Sequence, residues 1–453
     1  MTETITGLFQ QSKMMKIFPL LILLGLVSNL SATTRIVFSV HQDTERSKGE
    51  EKISESKEYE LSIYLGDTFI EYSNGNSRRI IDFKENKIFH SSTLNSGFIE
   101  TSIYSDIGFR VYEFQNRMML GGALNAAGIN NNPMDRVLME HLFSIRSGEK
   151  ADLKIKKEGE HIFYSHGDKA LISYSTEGSS VNEAEMNRFI LFMRYRYGIH
   201  PDILVDLQKE GEIPNILDVG RFNTASFEKF ELKLKSFDHT DYRYAITQEE
   251  RSKEADDALI QIHAKASGID NDAYRKRCMS LLPDAIQLAK EEKYLDSMLL
   301  FFEYTLAAGE QLPKEFYEFK SALASDKDVA LLFASISPQS KAAAEKAVDD
   351  LLRLANKSNE AKEVAWIFRA NILTSLRKTD EAKELFLKAL SKNPLIVGAW
   401  KDLGDIYYSQ YESAQAWLCW DTGRSINPKH HLFTSIYGFE KKLRDDHPEF
   451  FMQ

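Results

Sequence analysis

A recurrence near the end of the chain constrains its fold more than any other feature. Between Glu363 and His430, three residue types recur at a spacing of 34 positions, as Trp366 and Trp400, Ala382 and Ala416, and Pro394 and Pro428. One helical hairpin of about 34 residues cannot bury its apolar face alone and has to stack on a neighbour. The sequence therefore predicts an array of helical hairpins, an architecture that presents surfaces to other molecules.

Each predicted unit contains two helices joined by a short turn. In the first unit, Trp366, Ala370 and Leu373 are spaced at i, i+4 and i+7, which places them on one face of a helix. Because proline cannot continue a helix, Pro394 marks the end of the second helix. The residues predicted to pack the two hairpins are Trp366, Ala370, Ala382, Phe386, Pro394, Trp400, Gly404, Tyr407, Ala416 and Pro428.

The spacing within these units resembles that of the tetratricopeptide repeat family. The pattern W-x2-L-G-x2-Y runs from Trp400 to Tyr407 and is followed by Ala416, an aromatic residue and Pro428. The first unit departs from this pattern at several positions but keeps its tryptophan, its small residues and its proline.

This resemblance implies an all-α, tetratricopeptide-like solenoid of helical hairpins over residues 255–447. Its clearest repeats are residues 363–396 and 397–430, and degenerate units precede them. The segment from Phe433 to Arg444 is the expected polar end cap of the array.

In this family the first helix of each unit lines a concave groove that binds a partner. The positions that would face it are Ile367, Asn371 and Thr374 in one unit and Lys401, Asp405 and Tyr408 in the next. Asn371, Lys401, Asp405 and Tyr408 are the candidate partner-binding residues, since their side chains can form hydrogen bonds to a peptide. Ile367 stands where the carboxylate-binding type of this family has a lysine, which argues against a preference for C-terminal carboxylates. The alternative is that these are ordinary exposed polar residues.

The start of the chain has the pattern of a secretory signal peptide. Lys13 and Lys16 precede an apolar run, Ile17 to Val27, and small residues follow up to Ala32. The run of 11 residues is too short to span a bilayer as a helix. Residues 1–32 are therefore predicted to be removed, which predicts a periplasmic or secreted protein with no remaining membrane span. The alternative is an uncleaved membrane anchor.

Charge and motifs argue against several kinds of partner and reaction. The net charge of −10 argues against nucleic acid, whose backbone requires a positive surface. No nucleophile, phosphate-binding or zinc signature is present, so no catalytic residue, cofactor or metal is predicted. Cys278 and Cys419 form no C-x-x-C motif; buried free thiols are favoured, and a disulfide between them stays open.

Two histidine pairs are candidate sites. His161 and His166 flank a predicted hairpin, where a solvated turn is favoured because positions five apart on strands point to opposite faces. His430 and His431 follow the last repeat and are expected to be cations at a helix C-terminus.

Residues 33–245 show the alternating pattern of half-buried strands. Apolar and polar residues alternate around Phe38, Ile63 and Leu232, and Asn and Gly residues mark tight turns. Further strands are predicted at 69–72, 79–83, 87–90, 153–156, 162–165 and 171–174, and helices at 109–127, 135–146, 186–197 and 201–209. The pattern predicts an α+β domain with an antiparallel sheet.

The order of elements in this domain looks like the periplasmic lipoprotein-carrier architecture, in which a curved sheet surrounds apolar helices. That resemblance implies a carrier of a lipid or other apolar ligand, with a cavity lined by residues such as Phe109, Met118, Phe189 and Met193. A second alternative is an enzyme of unrecognised type, which predicts convergent titratable groups in a cleft of this domain.

The leading hypothesis is an exported, non-catalytic scaffold that binds or assembles another protein in the cell envelope. It rests on the 34-residue register, the signal-peptide pattern and the absence of catalytic motifs.

Overall fold

A computed structural model describes residues 33–48, 51–91, 97–128, 134–223, 226–246, 258–311 and 314–452. The predicted signal peptide, residues 1–32, lies outside these ranges.

An antiparallel sheet forms the first half of the described chain. Its strands are β1 (Thr33–Lys48), β2 (Glu51–Leu65), β3 (Phe69–Ser73), β4 (Arg78–Asp82), β5 (Lys87–Ser91), β6 (Ile99–Ser102), β7 (Lys154–Glu158), β8 (His161–His166), β9 (Lys169–Ser175), β12 (Ile216–Asn223) and β13 (Ser226–Thr240). The strand order is β6-β5-β4-β3-β2-β1-β13-β12-β9-β8-β7. Two short strands, β10 (Gly178–Ser180) and β11 (Glu212–Pro214), pair separately.

Four helices accompany the sheet: α1 (Ile103–Ala126), α2 (Arg136–Phe143), α3 (Glu183–Tyr197) and α4 (Pro201–Glu210). One face of the sheet packs on α3, because the alternating apolar residues of β1 and β2 point to that side. Phe38 pairs with Leu61 across these strands, and both are completely buried. On α3, Phe192 contacts Tyr72 of β3 edge to face, with ring centroids 5.5 Å apart.

The start of α3 is fixed by a capping box. The Asn182 side chain accepts a hydrogen bond from the Glu185 N–H, and the Glu185 carboxylate accepts one from the Asn182 N–H, each at 3.0 Å. The same carboxylate accepts a hydrogen bond of 2.7 Å from the Thr34 hydroxyl. The cap therefore also attaches the helix to β1.

A run of helices forms the second half. They are α5 (Ala258–Ser267), α6 (Asn271–Lys290), α7 (Tyr294–Ala308), α8 (Lys314–Glu318), α9 (Lys320–Ser325), α10 (Lys327–Ile336), α11 (Lys341–Lys357), α12 (Lys362–Ser375), α13 (Thr379–Lys392), α14 (Val397–Ser409), α15 (Ser413–Ile426) and α16 (Thr434–Asp446), with 3-10 turns at His431–Phe433 and Pro448–Phe450. An antiparallel sheet with helices followed by a solenoid-like run of helical hairpins confirms the predicted fold class.

Three hairpin turns share one backbone geometry. Glu292, Arg377 and Tyr411 have positive φ angles of 56°, 63° and 65°. In each turn, the following N–H donates to a carbonyl five residues earlier, as Glu412 does to Tyr407 at 3.0 Å. Glycine is the usual residue for this conformation. Tyr411 therefore has a backbone conformation that a residue with a bulky side chain does not favour.

Most of the predicted packing residues lie in the interior of the two hairpins, whereas Pro428 is exposed. Trp400 is completely buried, and its indole N–H donates a hydrogen bond of 2.9 Å to the Pro394 carbonyl. A Cβ atom on Gly404 would lie 2.3 Å from Nε1 of Trp420, so only glycine allows this close approach. Trp366 is only partly buried, with the Lys388 ammonium 4.3 Å from its ring centroid.

The predicted polar end cap packs against the first half of the chain as well as against the array. Leu443 of α16 is buried beside Gly108 of α1, and the Arg444 guanidinium donates a hydrogen bond of 2.7 Å to the Tyr104 hydroxyl. Tyr104 in turn stacks on Trp417 of α15, with ring centroids 5.4 Å apart. Helix α16 therefore covers the end of the array and also has a partner outside it.

Other boundaries also differ from the sequence predictions. Helix α1 begins six residues before Phe109, since the Ser102 side chain caps it by accepting from the Tyr104 N–H. Strand β12 is absent from the sequence predictions. Among the described helices, none combines the length and the apolar character that crossing a bilayer requires.

Candidate functional site

A cleft of about 480 Å³ lies where the array meets α1, and we call it the aromatic cleft. One wall comes from α1 and the other from α14, the following turn, α15 and α16. Its lining residues are Gly108, Phe109, Tyr112, Glu113, Asn116, Tyr408, Tyr411, Ser413, Trp417 and Phe439.

Large aromatic side chains remain exposed around this cleft. The exposed fraction is 72% for Tyr411, 53% for Phe109, 45% for Tyr408 and 40% for Tyr112. Single exposed apolar residues are ordinary, whereas a contiguous group of them marks an interaction surface. These four rings come from two separate parts of the fold and meet at one opening.

The floor of the cleft is packed. Trp417 is completely buried and stacks on Phe439, with ring centroids 5.8 Å apart. Its Nε1 atom is buried and makes no hydrogen bond to any part of the described chain. Tyr408 rests on Trp420 at a centroid distance of 5.4 Å. The packed aromatic floor thus carries one unpaired donor beneath rim rings that have exposed faces.

Tyr112 and Tyr411 connect the two walls at the rim. Their ring centroids are 5.4 Å apart. Hydrogen bonding with Tyr411, and then with Asn116, lowers the pKa of Tyr112. The only formal charge in the lining, Glu113, is paired with Arg117 at 3.1 Å. The cleft therefore favours apolar and aromatic groups over ions.

The apolar surface continues along α1 beyond the cleft. Met119 and Leu120 are exposed, and they share a face with Phe109, Tyr112 and Asn116 because helical positions about three, seven and eleven apart coincide. At 1.5 Å per residue, the stretch from Phe109 to Leu120 is about 16 Å long. This length matches about three turns of a partner helix.

Three of the four predicted groove residues are engaged within the array. The Asn371 amide donates a hydrogen bond of 3.0 Å to Asp402. The Lys401 ammonium binds both carboxylate oxygens of Asp405, at 2.7 and 2.6 Å, and Asp405 also accepts from the Trp420 indole at 3.2 Å. Only Tyr408 lines the aromatic cleft.

The neighbouring groove positions behave differently. Ile367 was expected to face the groove but is completely buried, so that expectation was wrong; packing against adjacent helices requires an apolar residue there. Thr374 donates its hydroxyl to the Ala370 carbonyl at 2.9 Å. Burial raises the pKa of Asp402 to about 6, although the hydrogen bond from Asn371 opposes this.

The residues proposed to line a carrier cavity lie in different environments. Phe109 lines the aromatic cleft and Met118 is partly buried. Phe189 and Met193 of α3 are completely buried in the packed core under the sheet.

A buried titratable cluster joins α2 to the start of α4. The Glu140 carboxylate contacts Nε2 of His200 at 3.1 Å, accepts from the Ser147 N–H at 2.7 Å and pairs with Arg136 at 3.0 Å. Burial opposes ionisation of Glu140, but the hydrogen bonds from His200 and Ser147 outweigh it and lower its pKa to about 2. This network stabilises the fold, since each of its polar groups has a partner.

His141 belongs to the same region and is neutral. Its Nε2 atom donates to the Gly220 carbonyl at 2.7 Å, and its Nδ1 atom accepts from the His200 N–H at 3.1 Å. Burial lowers the pKa of His141 to about 4. The ring ties α2 to β12 without carrying a charge.

The other histidines and the cysteines have structural surroundings. The expectation that His430 is a cation was wrong, because the ring is buried and burial lowers its pKa to about 4. His166 contacts the Asp152 carbonyl at 2.9 Å. No disulfide bond joins Cys278 and Cys419. Over the part of the chain that the structure describes, no group of three or more potential ligands is arranged for a metal ion.

Comparison with known proteins adds no identification. No family model matches this chain, and no curated protein matches its sequence. The resemblance to tetratricopeptide repeats therefore depends on residue spacing alone.

Sequence reasoning found Tyr408 as a groove residue and Phe109 as a cavity residue, but it missed Tyr112 and Tyr411. Tyr408 follows from the register of the repeat. A usable signal existed for α1, because Phe109, Tyr112, Met119 and Leu120 form an apolar face on a helix that was predicted. For Tyr411, the sequence signal of an exposed binding residue was an aromatic side chain at a turn position that favours glycine.

Proposed function

We propose that this protein is an exported, non-catalytic scaffold that binds an amphipathic helix of another protein in its aromatic cleft and along α1. The observation that carries the proposal is that four exposed aromatic rings from two separate regions line one opening. A helix placed in an apolar groove uses anchors spaced at i, i+3 or i+4 and i+7, and the exposed face of α1 has the matching length.

The class of array and the cellular location are parts of this proposal. The 34-residue spacing and the shared turn at Arg377 and Tyr411 support a tetratricopeptide-type array. The pattern of residues 13–32 supports export, and a cell-envelope partner follows from export.

The shared turn supplies a matched pair of variants to test it. Tyr411→Gly removes the exposed ring and leaves a residue that suits the backbone, and Arg377→Gly makes the same backbone change in the preceding hairpin. We expect the tagged protein, expressed in its native cell, to capture a partner that Tyr411→Gly and Phe109→Ala lose and Arg377→Gly retains.

The purified partner should then bind the wild-type chain directly. Because buried aromatic anchors dominate binding energy, we expect Tyr411→Gly to raise the Kd at least tenfold. Equal binding by Tyr411→Gly and Arg377→Gly would remove the cleft from the proposal.

A carrier function is the second candidate, and the cleft volume favours it. A space of about 480 Å³ lies within the range of small-molecule sites. Native mass spectrometry of the protein from its own cell should then show an apolar ligand that is lost in Phe109→Asp. Detection of only the mass of the protein without a ligand would exclude the carrier function.

A further inference from the structure

An arginine at the end of α3 lies in an aromatic box within the sheet domain, away from the aromatic cleft. The guanidinium carbon of Arg196 is 5.3 Å from the ring centroid of Tyr197, 5.8 Å from that of Tyr72 and 6.0 Å from that of Phe230. These rings belong to α3, β3 and β13. The cation is therefore fixed between the helix and the apolar face of the sheet.

Three buried polar atoms in this cluster have no hydrogen-bond partner. They are Nε of Arg196 and the hydroxyl oxygens of Tyr59 and Tyr197, considered against every residue that the structure describes. Buried polar groups in folded proteins are nearly always paired, so three unpaired groups around one arginine require an explanation. The guanidinium lies close enough to both hydroxyls to interact with them, and each of the three groups still has a hydrogen to donate.

The nearby carboxylate is already engaged elsewhere. Glu228 pairs with Arg221 at 3.5 Å and accepts a hydrogen bond of 3.2 Å from Gln42. Arg221 is close enough to Arg196 for the second positive charge to lower its pKa, after the larger effect of burial. Among the described residues, Arg196 itself forms no ion pair. The cluster therefore carries an excess of positive charge.

The cluster lies where the apolar face of the sheet ends. Across the strands, Tyr59 pairs with Val40, and Gln42 pairs with Phe230. Farther along these strands the side chains become polar. Arg196 as a whole is partly exposed.

We propose that Arg196, with the hydroxyls of Tyr59 and Tyr197, binds an oxyanion, either a carboxylate or a phosphate group. A guanidinium presents a planar fork of N–H donors that fits two oxygens of such a group. Burial raises the pKa of both tyrosines, so their hydroxyls remain protonated donors at neutral pH. The site is independent of the partner-binding cleft.

A purely structural role makes a different prediction. If Arg196 only stacks on its three rings, its replacement by Met loses cation–π attraction and lowers the melting temperature. If Arg196 is an anion site, Met removes an unpaired buried charge while keeping the side-chain volume, and the melting temperature without ligand is unchanged or higher.

The test is calorimetric titration of the purified chain with two ligands, inorganic phosphate and dodecanoate at a monomeric concentration. We expect the wild type to bind at least one of them and Arg196→Met to bind it at least tenfold more weakly. Binding of phosphate identifies a free anion as the ligand, and binding of dodecanoate alone identifies the head group of an amphiphile. Tyr59→Phe should weaken binding by a smaller factor, roughly threefold, because only one donor is lost.

Arg35→Met is the matched control, since Arg35 is an exposed arginine of β1 paired with Asp238 at 3.6 Å. It should bind the ligands as the wild type does. No binding of either ligand by the wild type, or equal binding by Arg196→Met, overturns the proposal. A lower melting temperature of Arg196→Met together with either result assigns Arg196 to packing.

Discussion

Phe189 and Phe109 lie on helices of the same domain and have opposite surroundings. Phe189 of α3 is completely buried under the sheet, whereas Phe109 of α1 is 53% exposed at the aromatic cleft. The core around α3 is closed by its own chain. The face of α1 at the cleft is not, and we propose that a partner covers it. The difference separates residues that make the fold from residues that are available for binding.

The largest effect is expected from Phe189→Ala. Removing a buried phenylalanine forfeits its burial and leaves a cavity, which costs about 3–5 kcal/mol of unfolding free energy. Phe109→Ala should cost less than about 0.5 kcal/mol, as exposed positions usually do. Urea unfolding of both variants measures the difference. Similar losses would show that Phe109 is a core residue and would abolish the contrast.

Glu140→Gln tests the buried cluster of the sheet domain. Leaving His200 and Arg136 without their carboxylate should cost about 3 kcal/mol at neutral pH. The folded pKa of Glu140, about 2, is below its unfolded value near 4.5. Its stabilisation is therefore present above pH 4.5 and is lost as the pH falls toward 2.

The measurement is urea unfolding of wild type and Glu140→Gln at several pH values. The two unfolding free energies should converge as the pH falls below 4.5. A difference that stays constant between pH 7 and pH 3 would contradict an ionised Glu140.

Gly404→Ala tests the packing inside the last hairpin. An added Cβ atom would lie 2.3 Å from the Trp420 indole, and such overpacking costs about 1–3 kcal/mol. Gly122→Ala is the control, because a Cβ atom there meets nothing within 4 Å and favours the helix. Thermal unfolding should show a lower melting temperature for the first variant and an equal or higher one for the second.

The smallest effects on stability are expected at the shared turns. Tyr411→Gly and Arg377→Gly each relieve a positive φ angle and should change the unfolding free energy by less than about 1 kcal/mol. Only Tyr411→Gly should affect partner binding. A large destabilisation confined to Tyr411→Gly would make its ring a packing residue and weaken the contrast between core and cleft.

The fold class could be predicted because local patterns report it. Alternation around Phe38 and Ile63 indicated an antiparallel sheet, and the spacing from Trp366 to Trp400 indicated stacked hairpins. These patterns arise from side chains on a single strand or helix that share a face, so a sequence contains them directly.

The cleft could be predicted only in part, because it forms where two distant regions dock. Tyr408 followed from the repeat register, but nothing periodic links Tyr411 to Tyr112. The contact between α16 and α1 was missed for the same reason, since the two helices are far apart in the sequence. The ion pair of Lys401 with Asp405, by contrast, could have been predicted, because the two residues are four positions apart on a predicted helix.

The most direct test of the central claim is photo-crosslinking in the native cell. A photoreactive phenylalanine analogue replaces Tyr411 in one variant and Arg377, at the equivalent turn, in the other. The account predicts that position 411 crosslinks to one partner protein and that position 377 does not. Crosslinking of the same proteins from both positions, or of none from position 411, would contradict a partner-binding cleft.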